Sequence, residues 1–305
     1  MDFLKKLFWL VIIVVLCWGI FAKCSSSAER ELANEMSFEL DGISDLSIAY
    51  GDGEIQVFEH QGSGLIIKEY MTVNKRRYYA KIKEGAGELH ISEGGKPFFK
   101  GGFFRSVEVY LPAGYHQGLT LTTTSSTIDL SGVKPDISML RIDTTSGTVR
   151  LPFVKASDLY LSTTSGILEL GQINGEKIRL QTTSGKTQCL ALNGHVSYVT
   201  TSGDLNVTEA AGAGQYRAEN SGVLKVVYNE VKGDLSFFNK NGNVDITLPA
   251  ELAFQFEAKT KNGTITTPFN KSLIGEAGGL KGPVGNAPAI TVQAETKNGD
   301  IVVKK

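Results

Sequence analysis

The residues able to do chemistry in this chain of 305 are few and scattered. Four histidines (His60, His90, His116, His195) and three cysteines (Cys17, Cys24, Cys189) carry all of its imidazoles and thiols, too little material for a zinc site or a disulfide framework. Acid–base catalysis of the lyase or hydrolase kind needs several carboxylates converging in a groove, within about 5–10 Å of one another. Here Asp129, Arg150, Glu169, Gln188, Asn206, Lys225 and Asp245 recur about every twenty residues at one position of a repeat, which predicts a solvated face of mixed charge. Cys189 falls where the repeat elsewhere carries Leu, Val or Ile, so it is expected in the core as a small hydrophobe. No catalytic residue, metal or cofactor is expected. A carbohydrate-active β-helix enzyme is the alternative, and it requires a carboxylate-lined groove that only the stacking register would reveal.

Binding chemistry gathers in one segment. Residues 96–105 read Lys-Pro-Phe-Phe-Lys-Gly-Gly-Phe-Phe-Arg, and Phe98, Phe99, Lys100, Phe103, Phe104 and Arg105 are the candidate partner-binding residues. Aromatic rings beside cations dip into a membrane interface or fill a partner's pocket, whereas a hairpin here would send half of them into the core. Lys75-Arg76-Arg77-Tyr78-Tyr79 reads as an exposed strand edge, where positive charge discourages unwanted pairing. Four Thr pairs, 144–145, 163–164, 182–183 and 200–201, would stack into two columns, a possible lattice-binding ladder. The simpler account is β propensity together with hydroxyls that satisfy backbone groups at turns.

These residues sit on a repeat. LRIDTTSGTVRL (140–151), LYLSTTSGILEL (159–170), IRLQTTSGKTQC (178–189) and VSYVTTSGDLNV (196–207) share alternating apolar positions around a turn that ends in glycine. Gly147, Gly166, Gly185 and Gly203 lie 19, 19 and 18 residues apart, and Gly53, Gly87, Gly222, Gly242, Gly263 and Gly299 continue the phase, with Ser126 in one glycine place. The positions two and four residues after each turn are apolar in nearly all of these eleven copies, and the positions between are mostly polar. Period two over so many copies predicts strands with one face in a core. Two short strands cannot bury that face alone, so the units must stack, giving an all-β, β-solenoid rod on the order of 50 Å long. Glycine is expected to supply positive φ at each turn. Lys-Asn-Gly in the later copies leaves both a solenoid bend and a hairpin open there. The repeat slackens over 59–118 and at a Gly/Pro-containing insertion, 268–289.

Composition sets the outer bounds. Thirty-one Lys plus Arg against 32 Asp plus Glu give a formal charge of −1, so nucleic acid is not an expected partner. Residues 7–22 carry no charge and follow Lys5 and Lys6, so 1–28 reads as an export signal with a hydrophobic leader helix, either a cleaved signal peptide or a signal anchor. Lipid attachment at Cys24 is a third option. Residues 29–45 are expected as a linker and 46–305 as the repeat domain outside the cytoplasm, anchored in the cytoplasmic membrane facing outward, or periplasmic or at the cell surface if the leader is cleaved.

The tandem Thr-Thr-Ser-Gly turns, the strand ending in Leu111-Pro112 and the closing Lys-Asn-Gly-Asp-Ile strand resemble a bacterial β-strand-repeat family of unknown function described as candidate adhesins. The resemblance covers about 46–305. It implies a membrane-associated or secreted β-solenoid that meets an envelope component, another protein or a membrane surface, in adhesion or envelope stress, and it implies no catalytic residue.

Overall fold

The computed structural model describes residues 30–98, 101–269, 273–276 and 278–305. The expected leader helix, Phe99 and Lys100 lie outside the described residues. Among those described, 22 strands form one continuous sheet wound into a solenoid, with a single 3-10 turn at Arg76–Tyr78. The alternation dictates the winding. In the strand Thr148–Thr163 the buried residues fall in three groups, Val149 and Leu151, Val154 and Ala156, then Leu159, Leu161 and Thr163, with the alternation slipping one residue between groups. Each coil pairs in parallel with the next, so Val149 lies over Leu168, Leu168 over Thr187, and Thr187 over Leu205. Each inward Leu, Ile or Val contributes about 1.5–3 kcal/mol of burial before chain entropy is set against it. All eleven expected inward positions two residues after a turn lie on this core, and only Ile265 is partly exposed.

The turn glycines are required by close approach. A Cβ on Gly166 would stand 2.2 Å from the carbonyl oxygen of Gly147, one on Gly185 would stand 2.4 Å from that of Gly166, and one on Gly203 would stand 2.4 Å from that of Gly185. Of the ten, only Gly87 and Gly222 have the expected positive φ, 82° and 132°. Three residues before the turn, the hydroxyl oxygens of Thr144, Thr163 and Thr200 accept hydrogen bonds from the amides of Gly147, Gly166 and Gly203 at 3.1, 2.8 and 2.7 Å. This Thr column is buried, while Thr145, Thr164, Thr183 and Thr201 are exposed. The two expected Thr columns therefore lie on opposite sides of the wall.

The Lys-Asn-Gly copies are solenoid bends too, since the segments on both sides of them pair in parallel. Their spatial order departs from chain order. The last coil, 290–304, lies between the coil 224–247 and the coil 254–266. At the other end, Asp45–His60 stacks on Gly118–Gly132 and is covered in turn by Glu88–Ser92 and Arg105–Pro112. Each end of the repeat is thus buried one coil inside the rod.

Antiparallel strands close both ends. Glu31–Phe38 pairs with Leu65–Met71, and Leu65–Met71 with Arg105–Pro112; at the other end Gly279–Val284 pairs with Phe254–Asn262. Residues 31–38 are therefore a cap strand where a linker is expected, and both slack regions form caps. Gly87 is no solenoid bend. It sits with Ala86 in the hairpin between Lys81–Gly85 and Glu88–Ser92, and Arg105 takes the turn-glycine place of that coil, as Val107 pairs with Ile55. Lys75–Tyr79 holds the 3-10 turn instead of a strand edge.

Because each turn's carbonyl oxygen fills the space where the next turn's side chain would begin, Gly185→Ala should destabilise by at least the ~1–3 kcal/mol of ordinary overpacking. Gly114→Ala, whose Cβ meets open space, should be near neutral. Equal unfolding midpoints in urea would overturn this account of the column.

Candidate functional site

The N-terminal cap is where the repeat loses its regular side chains, and charge enters in their place. Tyr50 occupies the inner Thr position of the coil containing Gly53, and Glu93 follows it in the covering coil, its amide bonding to the Ala49 carbonyl. Arg105, at the glycine place, reaches back with a side chain only 1% exposed. Its Nη1 lies 2.8 Å from Glu93 Oε1, and its Nη2 donates to the carbonyls of Tyr78 and Gly95 at 2.5 and 3.0 Å. Glu93 Oε2 also accepts from the Gly51 amide at 3.0 Å. Lys96 bridges Glu93 and Asp52 at 3.0 and 2.8 Å. Partial burial opposes the Lys96 charge, yet hydrogen bonds and charge from Asp52 and Glu93 raise its pKa.

A second buried carboxylate, Glu69, accepts from the Tyr50 hydroxyl (3.2 Å), the Asn34 amide group (2.8 Å) and the Ala80 backbone amide (2.9 Å). Burial, then the Glu69 charge, pushes the Tyr50 phenol well above its usual range, so it stays a neutral donor. No sequence signal pointed to Glu69 or Glu93, because neither stands at a repeat position that announces a site.

A cavity of about 340 Å³ opens beside this network, lined by Arg30, Asp52, Glu93, Lys96, Phe103 and Phe104 among others. Asp52 and Glu93 touch one ammonium, so their carboxylates lie within about 6 Å of each other, inside the separation a glycosidase uses. The chemistry differs. Both carboxylates are already engaged by cations, Lys96 bridging the pair and Arg105 holding Glu93 from the buried side. The arrangement ties the loop to the coil beneath it.

The aromatic candidates divide. Phe103 packs on Tyr78, ring centroids 5.3 Å apart, with the Arg105 guanidinium 5.3 Å from its ring. Phe98 is 94% exposed and Phe104 61%. The loop is thus neither a hairpin core nor a fully exposed cluster, and Arg105 belongs to its foundation rather than to its surface.

Elsewhere some of the outer charges pair across coils. Arg150 spans Asp129 and Glu169 at 3.7 and 3.1 Å, and Lys304 meets Asp245 at 2.7 Å. The histidines stay apart; His60, His90 and His116 bond to Gly64, Ser47 and Asp136 respectively. Cys189 is buried, and burial pushes its thiol up to about 12. Thr187, the one polar residue among the inward positions two after a turn, neighbours Tyr198; burial raises the Tyr198 pKa, and hydroxyls including that of Thr187 oppose the rise.

The chain belongs to the Toastrack DUF4097 family, which matches residues 43–222 and 217–304. Among solved structures, a candidate adhesin from Parabacteroides distasonis ATCC 8503 is similar at 13% identity, over 90% of this chain and 98% of its own, with a TM-score of 0.43. Another from Parabacteroides merdae ATCC 43184 has 14% identity over 89% and 96%, with a TM-score of 0.40. A candidate cell adhesion protein from Clostridium sporogenes ATCC 15579 has 12% identity over 90% and 99%, with a TM-score of 0.28. No curated protein matches the sequence.

Glu93→Gln should cost about 3–5 kcal/mol by leaving the Arg105 guanidinium buried without its counter-charge, whereas Asp52→Asn, at an exposed ion pair, should cost no more than about 1 kcal/mol. Equal losses in denaturant melts would refute the network's role as the cap's tie. Cys189, protonated and enclosed, should react with a thiol reagent at pH 8 only as fast as the protein unfolds; rapid native-state labelling would contradict its placement.

Proposed function

We propose that this protein is an exported, membrane-anchored, non-catalytic envelope module, a rigid rod that meets its partner through the N-terminal cap. The observation that carries the reading is the pair of exposed rings, Phe98 and Phe104, on a loop fastened by the buried Arg105–Glu93 ion pair. A protein stabilises an exposed aromatic loop of this kind when the loop meets something else, because the rings add little to folding where they stand. The uncharged run 7–22 supports export and anchoring. Among the described residues no helix is long and apolar enough to cross a membrane. An adhesin-like role, or one in envelope-stress sensing, accords with the family resemblance.

The test joins location to contact. In membrane fractionation and protease shaving of intact cells, the full-length chain should stay with the membrane and be cleaved from outside. Phe98→Ser with Phe104→Ser should change unfolding free energy by no more than about 0.5 kcal/mol per site while weakening association with envelope preparations. A large stability loss would make the rings structural, and unchanged association would remove the loop as the contact.

A further inference from the structure

The described chain starts on the N-terminal cap. Arg30 lies 3.8 Å from Glu54 and lines the same cavity as Phe103 and Phe104. The uncharged run ends at Ala22, so residues 23–29 alone separate it from Arg30. Seven residues reach at most about 25 Å, while the far cap is ten coil spacings, on the order of 50 Å, away. Whatever surface holds the run 7–22 is therefore next to this cap and beyond reach of the other.

The same cap carries a second feature. Lys75, Arg76 and Arg77 are exposed in the 3-10 turn, and among the described residues no carboxylate lies in ion-pair range of them. Hydrogen bonds fasten this turn, and Thr72 just before it, to the aromatic loop. The Gly95 amide donates to the Arg77 carbonyl at 3.1 Å, the Thr72 hydroxyl donates to the Gly102 carbonyl at 2.8 Å, and the Phe104 amide donates to the Thr72 hydroxyl at 3.1 Å. Exposed rings and unneutralised cations thus form one fixed unit, whereas Lys96 and Arg105 are taken up by Glu93 and Asp52. Rings that enter the headgroup region beside cations that face anionic lipid are the two components of interfacial binding.

We infer that the N-terminal cap is a lipid-docking surface. Phe98 and Phe104 enter the interface of the membrane that holds the N-terminal run, and Lys75, Arg76 and Arg77 meet its anionic headgroups, so that the rod projects its far end outward. This rests on the anchored reading above for proximity to the bilayer.

The full-length chain reconstituted into vesicles provides the test. Its two tryptophans, Trp9 and Trp18, both lie in the uncharged run, so Trp9→Phe with Trp18→Phe clears the background. Phe98→Trp then places one reporter on the cap, and Ile274→Trp, at an exposed site on the opposite cap, places the control in a parallel chain. In phosphatidylglycerol vesicles containing brominated lipid, the reporter at 98 should be blue-shifted and quenched severalfold more than the one at 274. Lys75→Gln with Arg76→Gln should weaken docking by about five-fold per charge, with a matching loss in phosphatidylcholine alone. Water-like, unquenched emission at 98 would overturn lipid docking and leave a protein partner for the cap. Equal quenching at both ends would overturn the upright rod, and indifference to the charge variants would overturn the headgroup contact. A leader found cleaved in cells would sink the anchored reading without altering quenching at 98 in the reconstituted chain, so the two failures are distinguishable.

Discussion

Everything in this molecule follows from how closely each turn lies on the one before it. The carbonyl oxygen of one turn glycine occupies the space where the Cβ of the next would be, as between Gly147 and Gly166. That close approach admits glycine alone without a shift of backbone, and it holds the flanking strands in register along the rod. The Thr three residues earlier completes the turn by accepting the glycine's amide, which would otherwise be buried without a partner. Two residue types at fixed spacing thus keep the turn column close-packed and hydrogen-bonded, and the apolar walls on either side contribute the free energy.

Along the middle of the stack a groove of about 420 Å³ runs over Arg150, Glu169, Gln188 and Asn206, which are repeat positions like those of every other coil. Any side chain that points inward is pressed between equivalents above and below, and those that point outward come in columns, where opposite charges pair at some levels, as Asp129, Arg150 and Glu169 do. The largest departures from the repeat lie at the ends, where a coil lacks a neighbour on one side. The chain threads both ends so that a cap lies outside the terminal repeat. At the N-terminal end the Thr and Gly places pass to Glu93 and Arg105, and a buried ion pair replaces the hydroxyl–amide contact. At this place a twelve-residue connection, 93–104, stands where the regular coils have a three-residue turn such as 145–147.

The functional reading follows from the same division. In the reading proposed above, the rod serves as a spacer and the loop at its N-terminal end as the contact surface. The Toastrack DUF4097 family match covers cap and rod alike, over residues 43–222 and 217–304.

Sequence alone determined the all-β class, the period, the inward phase down to Cys189 and the solvated column at Arg150, because a strand's alternation is local and eleven copies overrule chance. It also located the aromatic loop, whose composition stands out wherever it falls. Three things were decided only by tertiary structure. The order of the coils departs from chain order, since strand pairing is a long-range choice that the repeat leaves degenerate. Gly87 obeys the repeat yet sits in a hairpin, because Leu89 and Ile91 satisfy the core equally well from a strand that precedes a bend. Arg105, by composition a surface cation, lies buried because only the folded cap brings Glu93 and the carbonyls of Tyr78 and Gly95 to its guanidinium, and a charge can leave water only where such partners already wait.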